Sequence, residues 1–336
     1  MKRFLQKQWL SFSAWQVLLW PPSLFFAGLV ALRKCLYRHR VFKTTRLSVP
    51  LIVVGNISLG GTGKTPMVIW LAEQLRLAGF KPGIISRGYG GVPQGAVAVF
   101  ADSPPALVGD EPVLIAKRST CPVFVGVDKV RVGQALLQAN PQCDVIISDD
   151  GLQHYAMERD VEVALLDGFS QFGNRCLLPA GPLREGVSRL NSVDAVVVSG
   201  GVLVDLPEIM PSRLFAMSLE GDHFFSLDQV PSSKPASYFF DKNIVAVAGI
   251  ANPQRFFNKL TALGLQFEPR AFADHHVFSA AELTEFANKT ILMTEKDAVK
   301  CLGFTDVDVW YLPVTATISS ATGHSLIFLI LQKLRN

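Results

Sequence analysis

At 336 residues the chain is long enough for two lobes with a large buried core, and its 49% hydrophobic content lacks the repeated long apolar runs of a multi-span membrane protein. The formal net charge of +4 conceals an asymmetry: ten lysines and arginines precede the first acid, Glu73, leaving 22 basic against 28 acidic residues beyond them. Positive charge gathered beside the most hydrophobic stretch excludes a nucleic-acid face spread over a folded domain, and five scattered cysteines with no C-x-x-C pair exclude a closely spaced zinc site and point to a reducing compartment.

From Gln8 to Leu32 no residue is charged, and the run carries Trp9, Trp15, Trp20, Phe25 and Phe26 between Lys2, Arg3 and Lys7 on one side and Arg33, Lys34, Arg38, Arg40, Lys43 and Arg46 on the other. It is long enough to span a bilayer, but Pro21-Pro22 is expected to break it in the middle. A secretory signal is excluded by the lack of a small-residue cleavage site. Three readings stay open: a helix pair lying in a membrane interface, a single transmembrane anchor, or a buried core helix.

The apolar run Leu51-Ile52-Val53-Val54-Gly55 leads into Ser58-Leu59-Gly60-Gly61-Thr62-Gly63-Lys64-Thr65. Pro66 suits a first helical turn, and Met67, Val68, Trp70, Leu71 and Leu75 follow at helical spacing. Strand, glycine-rich loop and helix make the Walker A layout, in which backbone N–H groups close around phosphates, Lys64 reaches the outer ones and Thr65 can ligate Mg²⁺. Ser58 replaces the first glycine of the general pattern.

Further on, strand-like Ile84-Ile85, Val123–Val125, Val145–Ser148, Val163–Leu166 and Ala195–Val198 alternate with helix-like Val113–Lys117 and Val132–Gln138. Buried apolar strands between helices predict an α/β fold with a mostly parallel sheet covered on both faces. Segment 211–240 reads as irregular; Asn243–Gly249 and the helix 253–263 then open a second α/β unit, and Leu326–Leu334 reads as an apolar helix returning to the first lobe. The expected division is 1–46 as membrane-associating helices, 47–210 as P-loop core, 211–317 as a smaller closing lobe and 318–336 as the returning helix.

Several residues carry chemistry. Asp149 and Asp150 end the apolar strand Val145–Ser148, as Walker B acids do, and Gln153 and His154 follow. Asp110 and Glu111 begin a helix, where acids serve either as plain N-terminal charges or as a general base. Asp274-His275-His276 offers too few ligands for a closed metal site, leaving a cleft-facing histidine or an ordinary loop. Thr294-Glu295-Lys296-Asp297 looks like a polar strand end near a site, and Arg184 is suited either to neutralising phosphate or to a surface ion pair.

Taken together and in order, Asn56, Gly60–Pro66, Ser86-Arg87-Gly88-Tyr89-Gly90, Gly109–Pro112, Asp149–His154, Leu178–Glu185, Asp274–His276 and Thr294–Lys300 resemble the tetraacyldisaccharide 4′-kinases, the lipid A kinases of Gram-negative bacteria. The resemblance covers nearly the whole chain, and Ser58 is normal for that family. It implies a two-lobed P-loop kinase that moves the γ-phosphate of ATP, with Mg²⁺, to the 4′-hydroxyl of a tetraacylated glucosamine disaccharide 1-phosphate, giving lipid IVA. It implies action at the cytoplasmic face of the inner membrane, and a monomer is expected. Residue by residue, it assigns Asp110 as base and His275 as its partner, Lys64, Thr65 and the loop from Ser58 as nucleotide contacts, and Asp149 and Asp150 as metal acids. Arg184 falls near the phosphates, and Arg87, Glu111, Gln153, His154 and His276 fall to the substrate or to supporting contacts. A nucleotide switch is disfavoured because no Asn-Lys-x-Asp motif occurs, and a non-enzymatic sensor leaves Asp110 and the Asp149-Asp150 pair unexplained.

Overall fold

The computed structural model describes residue 9 and residues 14–200, 209–228, 232–301, 307–320, 323 and 325–335. Of the expected N-terminal segment, residues 1–8 and 10–13 lie outside these. Helix α1 (Ala14–Arg38) is followed by β1 (Leu51–Asn56), α2 (Lys64–Leu77), β2 (Pro82–Ser86), β3 (Val97–Val99), the short α3 (Pro105–Val108), α4 (Asp110–Ser119), β4 (Val123–Val125), α5 (Lys129–Ala139), β5 (Val145–Asp149), β6 (Val161–Asp167), β7 (Ala195–Ser199) and β8 (Leu214–Glu220). Next come β9 (His223–Ser226), β10 (Ser233–Pro235), β11 (Ile244–Ala248), α6 (Pro253–Ala262), β12 (Glu268–Ala271), α7 (Ala280–Thr284), β13 (Thr290–Thr294), α8 (Glu295–Ala298), β14 (Val309–Leu312), β15 (Thr315–Ser320) and α9 (Leu326–Arg335).

The first sheet runs β15-β8-β7-β6-β1-β5-β2-β4-β3. Its interior strands are parallel and its edges β15 and β3 antiparallel. Buried on both faces, these strands are almost wholly apolar. One face packs on α2, α4 and α9 through Met67, Leu71, Leu75, Val113, Leu326 and Ile330; the other packs on α5 through Val132 and Leu136. The second sheet runs β10-β9-β14-β13-β11-β12.

Two differences from the sequence reading concern segment 211–317. It is not irregular over 211–240, because β8, β9 and β10 lie there, with Pro231 outside the described residues. Nor does all of it join the second sheet: β8 and β15 complete the first. The serines and prolines drew attention from Phe215 and Met217, which are buried in the first core, and strand partners so far apart in sequence leave no local signal.

The N-terminal region differs too. Among the described residues it is one helix, continuous through Pro21 and Pro22. The prolines remove two helical N–H donors, but their fixed φ is itself helical, so the helix carries the cost without ending. This helix is inside out. Gln16 and Ser23 are buried, while Leu18, Leu24, Phe25, Leu29 and Leu32 are exposed, Leu24 to 72%. Exposed side chains of this kind set aside the buried-core reading. The stretch Gln16–Arg38 is long and apolar enough to cross a membrane.

Candidate functional site

The site forms where β1, β5 and β2 end. After β1 the chain turns through the glycine-rich loop into α2. Gly63 caps α2 with a φ of 83°, a left-handed conformation that favours glycine, and a Cβ there would lie 2.7 Å from Met217 Cε, the movable tip of that side chain. Gly60, with a φ of 127°, is also in the region that favours glycine. Ser58 is extended instead, bridged to Leu183, while Leu59 N–H donates to Pro182 O at 2.8 Å and Arg184 N–H to Ile57 O at 2.7 Å. No left-handed residue is needed at position 58, which accounts for the serine there. Thr62 Oγ1 and Asn56 Nδ2 are buried without a hydrogen-bond partner.

Lys64 Nζ donates to Asn56 Oδ1 at 3.3 Å and stands 3.7 Å from Asp150 Oδ1. Asp150, with a φ of 48°, also takes Arg184 at 3.1 Å, and Arg184 reaches Gln153 Oε1 at 3.3 Å. Burial would raise the Asp150 carboxyl, but the charges of Lys64, Arg184 and Lys129 outweigh it and hold the pKa at about 2. Its neighbour behaves oppositely. Asp149 Oδ2 accepts from Ser86 Oγ at 2.8 Å, whereas its Oδ1 is buried and unpartnered. Burial first, then the charges of Glu111 and Asp150, push Asp149 up to about 6. Thr65 is buried at the start of α2.

A second group comes together across the lobes. Asp110 begins α4 and is 4% exposed. His275, 165 residues away and held at a φ of 59°, places Nδ1 2.9 Å from Asp110 Oδ1. Burial would raise Asp110, but the His275 hydrogen bond and the charges of Lys296, His275 and Lys300 prevail, so its carboxyl lies below the usual range. Tyr89 packs its ring edge-on to His275, centroids 5.0 Å apart. Glu111 pairs with Lys296 at 2.7 Å.

Other expected residues go elsewhere. His276 turns away: Nε2 meets Glu282 Oε1 at 3.0 Å and the ring packs among Phe272 and Phe278. These contacts lie within the second lobe. His154 has a buried, unpartnered Nε2, and burial lowers its pKa to about 4. Arg87 is exposed just past β2. Gln153 Nε2 donates to Asn56 O and to Glu185 Oε1, both at 3.0 Å, tying the strand end to the loop carrying Arg184.

A family model described as tetraacyldisaccharide-1-P 4′-kinase matches residues 15–333. The chain belongs to that family. A tetraacyldisaccharide 4′-kinase from Methylobacillus flagellatus is 47% identical over 329 residues, covering 97% of this chain and 95% of the relative. One from Azoarcus sp. strain BH72 is 49% identical over 319 residues, covering 95% and 93%. Among solved structures, LpxK from Aquifex aeolicus in complex with ATP superposes with a TM-score of 0.80 at 28% identity, covering 95% of this chain and 99% of that one.

Some side chains at this family's site have no role in the sequence reading. Lys129, fully buried, donates to Ser148 Oγ, to Asp149 O and, at 3.0 Å, to Asp150 O, clamping the acidic strand end. Arg255 of α6 crosses from the second lobe to Gly61 O at 3.2 Å and Asp167 Oδ1 at 2.9 Å. Lys296 and Lys300 face Asp110. Only Thr294-Glu295-Lys296-Asp297, read as a polar strand end near a site, and the family motif Thr294–Lys300 hinted at any of them.

Proposed function

We propose that this protein transfers the γ-phosphate of ATP to the 4′-hydroxyl of a tetraacyldisaccharide 1-phosphate, giving lipid IVA, as a monomer at the cytoplasmic face of the inner membrane. The observation that carries this reading is the Asp110–His275 pair, assembled from two lobes beside a glycine-rich loop and close enough that Glu111 raises Asp149. A nucleotide cradle and an acceptor-activating pair thus share one electrostatic neighbourhood.

Phosphoryl transfer asks mainly for positioning and charge neutralisation. The loop N–H groups, Lys64 and Arg184 hold the β- and γ-phosphates. Asp110, ionised at neutral pH, accepts the 4′-hydroxyl proton with His275 beside it. The acceptor oxygen bonds to the γ-phosphorus as the bond to the β-phosphate oxygen breaks, and ADP leaves. Mg²⁺ fits the donor set: Asp149 presents a buried, unpartnered oxygen, burial and the neighbouring charges of Glu111 and Asp150 raise its pKa, and the Thr65 hydroxyl is near the phosphate loop. When bound, the cation neutralises charge on the transferring phosphoryl group. Asp149 and Thr65 would hold it, with Asp150 engaged by Lys64 and Arg184.

An acylated acceptor needs a route from lipid to cleft. The outward apolar face of α1 supplies one, and its seat along the first lobe, with Ser23 Oγ bonded to Leu177 O at 2.8 Å and Lys34 to Glu185 at 2.6 Å, favours a helix lying in the interface over one standing across the bilayer. The test is transfer of ³²P from γ-labelled ATP to tetraacyldisaccharide 1-phosphate in detergent micelles with Mg²⁺. Labelled lipid from wild type and not from Lys64→Ala supports the reading; nucleotide hydrolysis indifferent to the lipid overturns it.

A further inference from the structure

Lys296 lies just past β13 in the second lobe, yet its charge is spent on the first. Nζ forms a 2.7 Å pair with Glu111 Oε1 and stands 4.0 Å from Asp110 Oδ2 and 3.8 Å from Asp274 Oδ1. Lys300, one turn on, is paired with Asp297 and lies 4.0 Å from the same Asp110 oxygen. Among the described residues the charged groups facing Asp110 are therefore His275 and Asp274 from the β12 loop, Lys296, Asp297 and Lys300 from α8 and the turn after it, and Glu111 from its own helix. The side chain of Lys296 is 17% exposed. Burial would discharge it, but the charges of Glu111, Asp110 and Asp274 outweigh burial and hold it protonated. An inter-lobe strut needs only the Glu111 pair; this ammonium is placed to act on both carboxylates that flank His275.

We propose that Lys296 is a positioning residue for phosphoryl transfer: anchored by Glu111 and Asp274, its ammonium holds the Asp110–His275 pair in its proton-accepting form and fixes the base-bearing helix to the second lobe. The proposal rests on the reading of Asp110 as general base. Its consequence is electrostatic and has a sign. Removing the positive charge raises the pair's proton affinity, so the acid limb of the rate profile moves to higher pH; removing the negative charge of Glu111 moves it to lower pH.

The test is kcat against pH for the full-length protein with micellar lipid acceptor and Mg·ATP, in wild type, Lys296→Met, Lys296→Arg, Glu111→Gln and Asp110→Asn. Lys296→Met is expected to move the acid limb up by about one unit with the KM for ATP little changed, Lys296→Arg to restore it, and Glu111→Gln to move it the other way. Rates that fall in both Lys296→Met and Glu111→Gln with unmoved limbs overturn the proposal and leave a structural strut. The Glu111→Gln arm decides alone if Lys296→Met fails to fold. Wild-type activity in Asp110→Asn instead removes the general-base reading itself, and the role of Lys296 with it.

Discussion

Lys34 Nζ lies 2.6 Å from Glu185 Oε2, a carboxylate that is 1% exposed and that also accepts from Gln153 and Tyr155. A helix whose apolar side chains face outward is thereby joined to the loop that carries Arg184. The two faces of that helix should separate in experiment. Replacing Leu24, Phe25 and Leu32 with serine is expected to lower partition onto anionic vesicles by about 10²-fold or more, since each buried large side chain contributes roughly 1.5–3 kcal/mol, while the KM for ATP stays unchanged. Equal rises in the KM for ATP and for lipid would mean that the helix belongs only to the fold.

Asp110 and His275 should behave as one unit. Asp110→Asn is expected to lower kcat by at least about 10²-fold with little change in the KM for ATP, and His275→Ala to fall in the same direction. The double variant should be little worse than the poorer single one, because each loss disables the same step. Multiplying effects in steady-state kinetics would assign the two residues to separate tasks.

Arg255 makes a different kind of link, from α6 to a loop carbonyl. Its bonds to Gly61 O and Asp167 hold the second lobe against the nucleotide cradle. Loss of such charge-assisted bonds costs about 1.5–3 kcal/mol, so Arg255→Ala should raise the KM for ATP about 10-fold or more. An unchanged KM for ATP would show that the loop keeps its shape without the second lobe.

The glycine loop and the acids ending β5 were legible because their chemistry is local: a strand, a turn that needs glycine, a helix. Which histidine of Asp274-His275-His276 faces the cleft was not legible from the residues themselves, and only the family resemblance assigned His275. The residues are adjacent, and only the left-handed backbone at His275 sends one ring to Asp110 and the other to Glu282. The contacts of Lys296, Lys300 and Arg255 with the first lobe could not be read for a related reason, since each acts on a lobe that the chain left long before. Pro21-Pro22 misled in the opposite direction: a local rule that usually ends a helix yielded to a segment that stays helical along the first lobe.

Lys129 offers a test by titration. Burial lowers its pKa from the ordinary 10.5 to about 8, against the opposing charges of Asp149 and Asp150. Between those values the unfolded chain keeps a proton that the folded protein has lost, so this group makes stability rise with pH across that window. Relative to Lys129→Met, wild type should gain roughly 2–3 kcal/mol between pH 8 and 10.5 in urea unfolding. A difference independent of pH would mean that the buried ammonium is not strained.

Glu220 and Thr315 are cross-strand partners at the ends of β8 and β15. The chain therefore departs for the second sheet and returns from it at a single doorway, and residues 221–314 amount to one oversized loop at the tip of an antiparallel hairpin. A two-residue turn would bridge the same gap. The nucleotide-holding half and the half that brings His275, Lys296 and Arg255 to it are thus joined as a cassette is to its slot, and a splice at that doorway would take those three residues away while leaving the glycine-rich loop and Asp110 on an uncut first sheet.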